Sequence, residues 1–168
     1  MEPNQSKETV LSKNALAIDH IALCVEDLEE SIRFYTTKLG FSLVDRLDIR
    51  GESTGMISAV LKAGPVVFVL CQGTSPDSQV SRFIENFGPG VQHVALAVED
   101  LGETFHALEE RGIPAETEVI EGEGIKQIFT KREPHMGVRL EFVERRGGSF
   151  TPQSVEKLFR TMEQHGTY

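Results

Sequence analysis

A chain of 168 residues, 39% hydrophobic and 26% charged, has the composition of one soluble globular domain or of two small modules sharing a core. Its formal net charge of -9 disfavours polyanionic partners, so we expect neither a nucleic acid nor a membrane surface as a partner. No apolar run is long enough for a membrane span, no signal-peptide pattern is visible, and both cysteines lie in apolar strand-like runs. These features favour a cytoplasmic protein.

The first half of the chain follows the order strand, helix and three strands. Residues 1–15 are polar and lack hydrophobic periodicity, which predicts a flexible N-terminal tail. A first module is expected over residues 17–72. Its elements are a strand over 17–25, a helix over 28–39 with apolar residues at helical spacing, and strands over 41–49, 55–62 and 66–71.

The second half repeats this order. A linker helix is expected over residues 76–87, between a Ser/Asp-rich start and a Gly-Pro-Gly exit. A second module over 88–146 follows, with a strand over 90–98, a helix over 101–111 and strands near 115–120, 125–130 and 138–143. A final amphipathic helix over 151–164 has no counterpart in the first half. The sequence thus predicts an α+β fold in which 16–150 form a single domain.

Each module opens with a histidine in the same register. The stretch "IDHIALCVEDL" from Ile18 returns 73 residues later as "VQHVALAVEDL", so that His20 corresponds to His93. Strand alternation places each histidine on a face whose other residues are small, such as Ala22 and Ala95. A lone histidine in an apolar strand is more often a core residue, but two in register beside small neighbours predict a ligand site.

A glutamate near the end of the second module completes a candidate metal site. Aligning the last strands of the two modules sets Val69 opposite Glu141, which lies in the apolar run "VRLEFV". Glu141 alone could face solvent from an edge strand, whereas a buried carboxylate needs a partner such as a metal. Two histidines and one carboxylate form the facial triad that binds non-haem Fe(II) and leaves positions open for substrate and oxygen.

The duplicated βαβββ pattern with these three residues resembles the vicinal oxygen chelate superfamily of glyoxalases, bleomycin resistance proteins and dioxygenases. Several stretches most resemble the catalytic domain of 4-hydroxyphenylpyruvate dioxygenase and hydroxymandelate synthase. They are "SAVL" at Ser58, "SQV" at Ser78, "GPGVQHVAL" at Gly88, "QIFTK" at Gln127 and "LEFVERRGGSF" at Leu140. This resemblance implies one cup-shaped mixed sheet built from two tandem modules, with the C-terminal helix closing over it.

The resemblance also implies a set of site residues and a chemistry. His20, His93 and Glu141 would hold Fe(II), O2 would be the co-substrate, and a small 2-oxo acid would be oxidatively decarboxylated and oxygenated. Substrate-binding positions are carried over only where the motifs match. They are Ser58, Gln72, Gln79, Gln92, Gln127, Phe129, Phe150 and Val155. Gln72 and Val155 stand where the family has asparagine and phenylalanine, so the implied substrate need not be 4-hydroxyphenylpyruvate.

Three alternatives share this fold. A metal-dependent epimerase or glyoxalase-type isomerase would act through an enediolate, but such enzymes usually place a fourth ligand or a base where Val69 stands. An extradiol dioxygenase would use the same triad on a catechol, and a metal-free resistance protein would only sequester a small molecule. Because both modules are in one chain, a monomer can complete the site, and a homodimer is also compatible with the sequence.

Overall fold

A computed structural model describes residues 9–147 and 151–165 as five α-helices, a π-helical segment and eight strands. The expected α+β fold is confirmed, because the eight strands form one curled mixed sheet. In chain order the elements are α1 (Val10–Asn14), β1 (Ala15–Cys24), α2 (Leu28–Arg33), the π-helix (Phe34–Lys38), β2 (Ser42–Arg50), β3 (Gly55–Ala63), β4 (Val66–Gly73), α3 (Gln79–Phe87), β5 (Gly90–Val98), α4 (Leu101–Glu110), β6 (Ile120–Gly122), β7 (Ile125–Phe129), β8 (Arg139–Arg145) and α5 (Pro152–His165).

The sheet displays the duplication as a near-symmetric strand order, β2-β3-β4-β1-β5-β8-β7-β6. Strand β1 pairs in parallel with β4, and β5 pairs in parallel with β8. The two modules meet where β1 and β5 run antiparallel at the centre, with His20 opposite Ala95 and His93 opposite Ala22. Each histidine therefore lies beside a small residue of the other module, on neighbouring central strands.

Each module packs its helix on the outer face of the sheet. In module one, α2 contributes Leu28 and Ile32 to a core with Leu61 and Leu70 of the sheet. In module two, α4 contributes Leu101 and Leu108 to a corresponding core with Ile128 and Phe142. Because side chains alternate along a strand, burying these residues on the outer face turns the histidines towards the inner face.

The C-terminal helix α5 covers part of the inner face. Val155 and Phe159 pack in a buried cluster with Ile49 of β2. Near the helix end, the Glu163 carboxylate accepts hydrogen bonds from the backbone N–H groups of Glu52 (2.8 Å) and Thr54 (3.0 Å) in the β2–β3 turn. Apolar packing at one end and a capped turn at the other fix α5 over the sheet.

The N-terminal expectation is wrong for residues 9–15. Thr9 and Ser12 form a capping box that starts α1, and buried Asn14 donates to Glu103 at 3.2 Å. Leu11 packs against the α4 core, so this segment joins the domain. A helix of only 5 residues gives too few turns for a hydrophobic period to show in the sequence.

Two further elements differ from expectation. The helix expected over 28–39 changes at Phe34 into a π-helix, where the Thr36 and Thr37 hydroxyls donate to main-chain carbonyls one turn earlier. The strand expected near 115–120 is reduced to an isolated bridge between Ala115 and Thr130 and the short strand β6. None of the helices in the described part of the chain has the length and apolar character of a transmembrane segment.

Candidate metal centre

Three side chains of the central strands converge on one point of the inner face. His20 Nε2 lies 3.3 Å from Glu141 Oε2, His93 Nε2 lies 3.2 Å from the same oxygen, and the two Nε2 atoms are 3.3 Å apart. The strands β1, β5 and β8 that carry them are adjacent in the sheet. Glu141 is 1% exposed, so its charge is withdrawn from solvent. The three residues predicted as metal ligands are thus brought together.

The outer nitrogen of each imidazole has its own acceptor. His20 Nδ1 donates to Asp19 Oδ1 at 2.8 Å, and His93 Nδ1 donates to the amide oxygen of Gln92. Because a carboxylate and an amide oxygen only accept, each Nδ1 atom carries a proton and each Nε2 atom faces the centre. An Nε2 atom presents a lone pair there whenever its ring is neutral, which is the form that binds a metal.

This arrangement fits a metal ion. Metal–ligand distances near 2.0–2.2 Å place two ligand atoms about 3.0 Å apart at an octahedral angle and about 3.4 Å apart at a tetrahedral angle. The observed separations of 3.2–3.3 Å lie within this interval. Apart from the two imidazoles, no described group donates a hydrogen bond to the carboxylate of Glu141, which is costly for a buried charge. A divalent cation at the centre would satisfy all three ligand atoms.

The electrostatics of the three groups are strongly coupled. Burial opposes charge on each of them, but the carboxylates of Glu141 and Asp19 raise the pKa of His20 to about 9. Burial likewise opposes ionisation of Glu141, yet His20 and His93 lower its pKa to about 2. Burial lowers the pKa of His93. Without a metal, His20 therefore carries a second ring proton beside an ionised Glu141 at neutral pH.

A cavity of about 60 Å³ lies beside His93. Four of the residues predicted to bind substrate line it: Gln79, Gln92, Phe129 and Val155. The Phe129 ring also meets the His93 ring edge to face, with centroids 5.2 Å apart. The buried Oε1 atom of Gln79 has no hydrogen-bond partner. Their part in substrate binding stays a prediction.

The remaining predicted substrate-binding positions are not among the described residues that line this cavity. Ser58 is buried on β3 as the register partner of Cys71, which lines the cavity. Gln127 is 1% exposed on β7, two residues before Phe129 and so on the same inner face. Phe150 lies outside the described residues.

The structure does not bring Gln72 to the inner face with the other predicted positions, and a role for it in substrate binding stays an untested prediction. Its Oε1 atom accepts the backbone N–H of Leu28 at 2.7 Å and so caps helix α2 on the outer face. Glu144 plays the same part for Leu101 of α4 at 2.9 Å. The pairing shows that the repeat retains an acceptor for the first N–H of each helix, which is a structural role.

Several neighbours of the centre were not predicted from the sequence. Asp19 was passed over although it precedes His20, and its carboxylate receives two hydrogen bonds from Arg145, at 2.6 and 2.8 Å. The Arg145 guanidinium outweighs the effect of burial and holds the pKa of Asp19 well below its usual range. Gln92, which holds the matching position before His93, could have drawn attention to Asp19.

The two cysteines are also neighbours of the site. Cys24 and Cys71, register partners on β1 and β4, both line the cavity as free thiols.

A family model agrees with this architecture. Residues 17–142 match the model described as the Glyoxalase/Bleomycin resistance protein/Dioxygenase superfamily. The match contains both histidines and the glutamate of the centre.

Individual relatives and solved structures agree with the family match. A 4-hydroxyphenylpyruvate dioxygenase of Legionella pneumophila is 28% identical over 113 residues, which are 64% of this chain and 32% of the relative. A variant of 4-hydroxymandelate synthase from Streptomyces coelicolor superposes with a TM-score of 0.80 at 22% identity, over 90% of this chain and 55% of that one. A methylmalonyl-CoA epimerase from Streptomyces coelicolor superposes with a TM-score of 0.67 at 24% identity, over 78% and 98%. The two superpositions show a shared fold, and the chain spans about a third of the length of the dioxygenase it matches.

Proposed function

Since the chain belongs to the Glyoxalase/Bleomycin resistance protein/Dioxygenase superfamily, we propose that it is a non-haem Fe(II)-dependent dioxygenase of 2-oxo acids. The observation that carries the proposal is the convergence of His20, His93 and Glu141, whose ligand atoms form a triangle with sides of 3.2–3.3 Å. Two histidines and one carboxylate on one face of a metal are the ligand set of non-haem Fe(II) oxygenases.

The open side of the triad supports oxygen chemistry. No further His, Cys, Asp or Glu of the described residues joins the cluster. The side chain of Val69, the counterpart of Glu141 in module one, has no atom that can bind a metal. A bound Fe(II) ion would supply both a template for the carboxylate and keto oxygens of a 2-oxo acid and a redox centre for O2.

The protein's own residues orient the ligands and exclude water. Asp19 and Gln92 hold the two imidazoles with Nε2 turned inward, as outer-shell acceptors do in metal sites. Phe129, Val155 and Phe159 form apolar walls next to His93. Such walls keep solvent from the reacting substrate, which suppresses side reactions of short-lived species.

The composition of the cavity also favours a substrate whose charged group is a carboxylate that binds the metal. The described residues that line it include neither lysine nor arginine. A 2-oxo acid can direct its carboxylate to the cation at His20, His93 and Glu141, and its side chain then lies among apolar groups. A substrate with additional phosphates would need cationic partners that these walls lack.

An isomerase is the second candidate. It is favoured by the superposition on methylmalonyl-CoA epimerase, whose chain is covered almost completely. An enediolate mechanism needs a base close to the substrate carbon. Apart from His93, the described cavity-lining residues include no histidine, carboxylate or lysine, which places this candidate second.

The test uses two metals on the same protein. Apo protein is loaded anaerobically with Fe(II) or with Co(II), mixed with a panel of aliphatic and aromatic 2-oxo acids and then exposed to air. We expect oxygen uptake and CO2 release only with Fe(II), and neither from Glu141→Gln. Turnover with Co(II) that consumes no oxygen would instead establish the isomerase.

A further inference from the structure

The outer shells of the two histidines differ in charge. His20 Nδ1 donates to the carboxylate of Asp19, whereas His93 Nδ1 donates to the neutral amide of Gln92. These two acceptors occupy equivalent positions of the repeat, one residue before each histidine. The repeat therefore preserves the hydrogen bond and changes only its charge.

Arg145 fixes the charged acceptor in place. Its Nε donates to Asp19 Oδ2 at 2.6 Å and its Nη2 donates to Oδ1 at 2.8 Å. The fork of a guanidinium on both oxygens of a carboxylate constrains direction as well as distance. The side chains of Asp19 and Arg145 are 11% and 31% exposed, so solvent screens the pair only partly.

The pair also joins the two modules. Asp19 is on β1 and Arg145 is at the end of β8, with β5 between them in the sheet. Arg145 follows Glu141 by four residues on the same strand. The pair therefore fixes the position of His20 relative to β8, the strand that carries Glu141, although His20 and Glu141 belong to different modules.

We propose that Asp19 and Arg145 are a positioning pair that makes His20 a stronger electron donor to the metal than His93. A carboxylate that accepts the Nδ1 proton increases the basicity of the other ring nitrogen, and an amide does so less. Arg145 moderates this effect because its positive charge offsets part of that of Asp19. The inference rests on the metal centre proposed above, and it is independent of the reaction that the centre performs.

Opposite effects of two substitutions separate this role from simple support of the fold. Asp19→Asn keeps the hydrogen-bonding shape but removes a negative charge, so the oxidised metal is less stabilised and the Fe(III)/Fe(II) midpoint potential rises. Arg145→Gln leaves Asp19 with less compensation, so the potential falls. A pair with a purely structural role predicts a change of the potential in the same direction for both variants, because each of them weakens the support of His20.

The experiment compares wild-type protein with Asp19→Asn, Arg145→Gln and Gln92→Glu. Co(II) affinity is measured by chelator competition, the Fe(III)/Fe(II) potential by anaerobic titration, and the fold by thermal unfolding of the apo proteins. Asp19→Asn should weaken Co(II) binding about 10- to 100-fold, as substitution of an outer-shell partner does elsewhere. Gln92→Glu should lower the potential, since it gives His93 the charged acceptor that only His20 has in the wild type.

Two results would overturn the inference alone. One is Co(II) affinity of Asp19→Asn within twofold of wild type, and the other is a shift of both potentials in one direction. Wild-type protein that binds no Co(II) would overturn the metal centre and the inference together, so the two failures are distinguishable.

Discussion

Glu141 occupies in the second module the place that Val69 occupies in the first. Val69 is the register partner of Ala22 on β1, and Glu141 is the register partner of Ala95 on β5, at equivalent points of the repeat. Val69 packs against a buried apolar cluster that includes Val80, and of the two equivalent places only Glu141 carries an ionisable group. A metal held by this triad would keep the side next to Val69 for substrates.

A carboxylate at position 69 should block the side of the metal site that the triad leaves open. We expect Val69→Glu to retain or strengthen Co(II) binding, because a second carboxylate comes to the centre, and to reduce oxygen uptake of the Fe(II) form at least tenfold. Metal content and oxygen consumption measured on the same preparation check this. Val69→Leu is the matched control and should keep the oxygen uptake, and equal activity of both variants would show that position 69 does not face the metal.

Metal affinity should depend on pH with a defined sign. The pKa of His20 is raised to about 9 and the pKa of Glu141 is lowered to about 2, so the metal-free site carries one proton between these values. Metal binding must displace that proton, and affinity should therefore rise about tenfold per pH unit until pH approaches 9. Calorimetric titration with Co(II) in two buffers of different ionisation enthalpy measures the proton released. No proton release at pH 7 would contradict this account of the site.

The contact of Glu163 with the β2–β3 turn should hold α5 in place. Glu163→Gln exchanges a charged acceptor for a neutral one at Glu52 and Thr54, and we expect a loss of about 1 kcal/mol in unfolding free energy. Gly51→Ala should act in the same way, because an added Cβ would lie 2.2 Å from the Glu163 carboxylate. Denaturant unfolding of both variants checks this. Lys157→Ala, exposed on the same helix and distant in sequence from Glu163, is the control and should change stability little.

Leu158 should limit the size of the substrate. It lines the cavity of about 60 Å³ from α5, next to Val155 and Phe159. Cavities that hold a benzene ring are about 150 Å³, so the wild type should favour short aliphatic 2-oxo acids. Leu158→Ala enlarges the cavity and should raise the ratio of kcat/KM for aromatic over aliphatic 2-oxo acids. Lys157→Ala, one residue away and exposed, should leave that ratio unchanged.

The repeat made the sheet and the triad predictable from sequence. Apolar alternation located most strands to within two residues, and the recurrence of His20 at His93 selected both histidines and the face they share. Glu141 could be found because a carboxylate between Leu140 and Phe142 conflicts with its surroundings. Patterns of this kind indicate which residues are buried. Because side chains alternate between the two faces of a sheet, the buried positions also indicate the face on which each side chain lies.

Other features depend on contacts that no local pattern records. Gln72 lies two positions after the strand residue Leu70, and only the meeting of β4 with α2 shows that its amide caps Leu28. Arg145 reaches Asp19 across an intervening strand, at a separation of 126 residues. The short helix α1 depends on the capping box at Thr9 rather than on hydrophobic spacing. Such interactions join distant segments, so the sequence alone did not reveal them.

We propose that O2 reacts with a 2-oxo acid at the triad of His20, His93 and Glu141. Turnover of the Fe(II) protein under 18O2, with mass analysis of the products, tests this reaction. We expect one product that has lost CO2 and gained both labelled oxygen atoms, and no such product from Glu141→Gln. Turnover of a substrate into an unlabelled isomer of equal mass would contradict the claim.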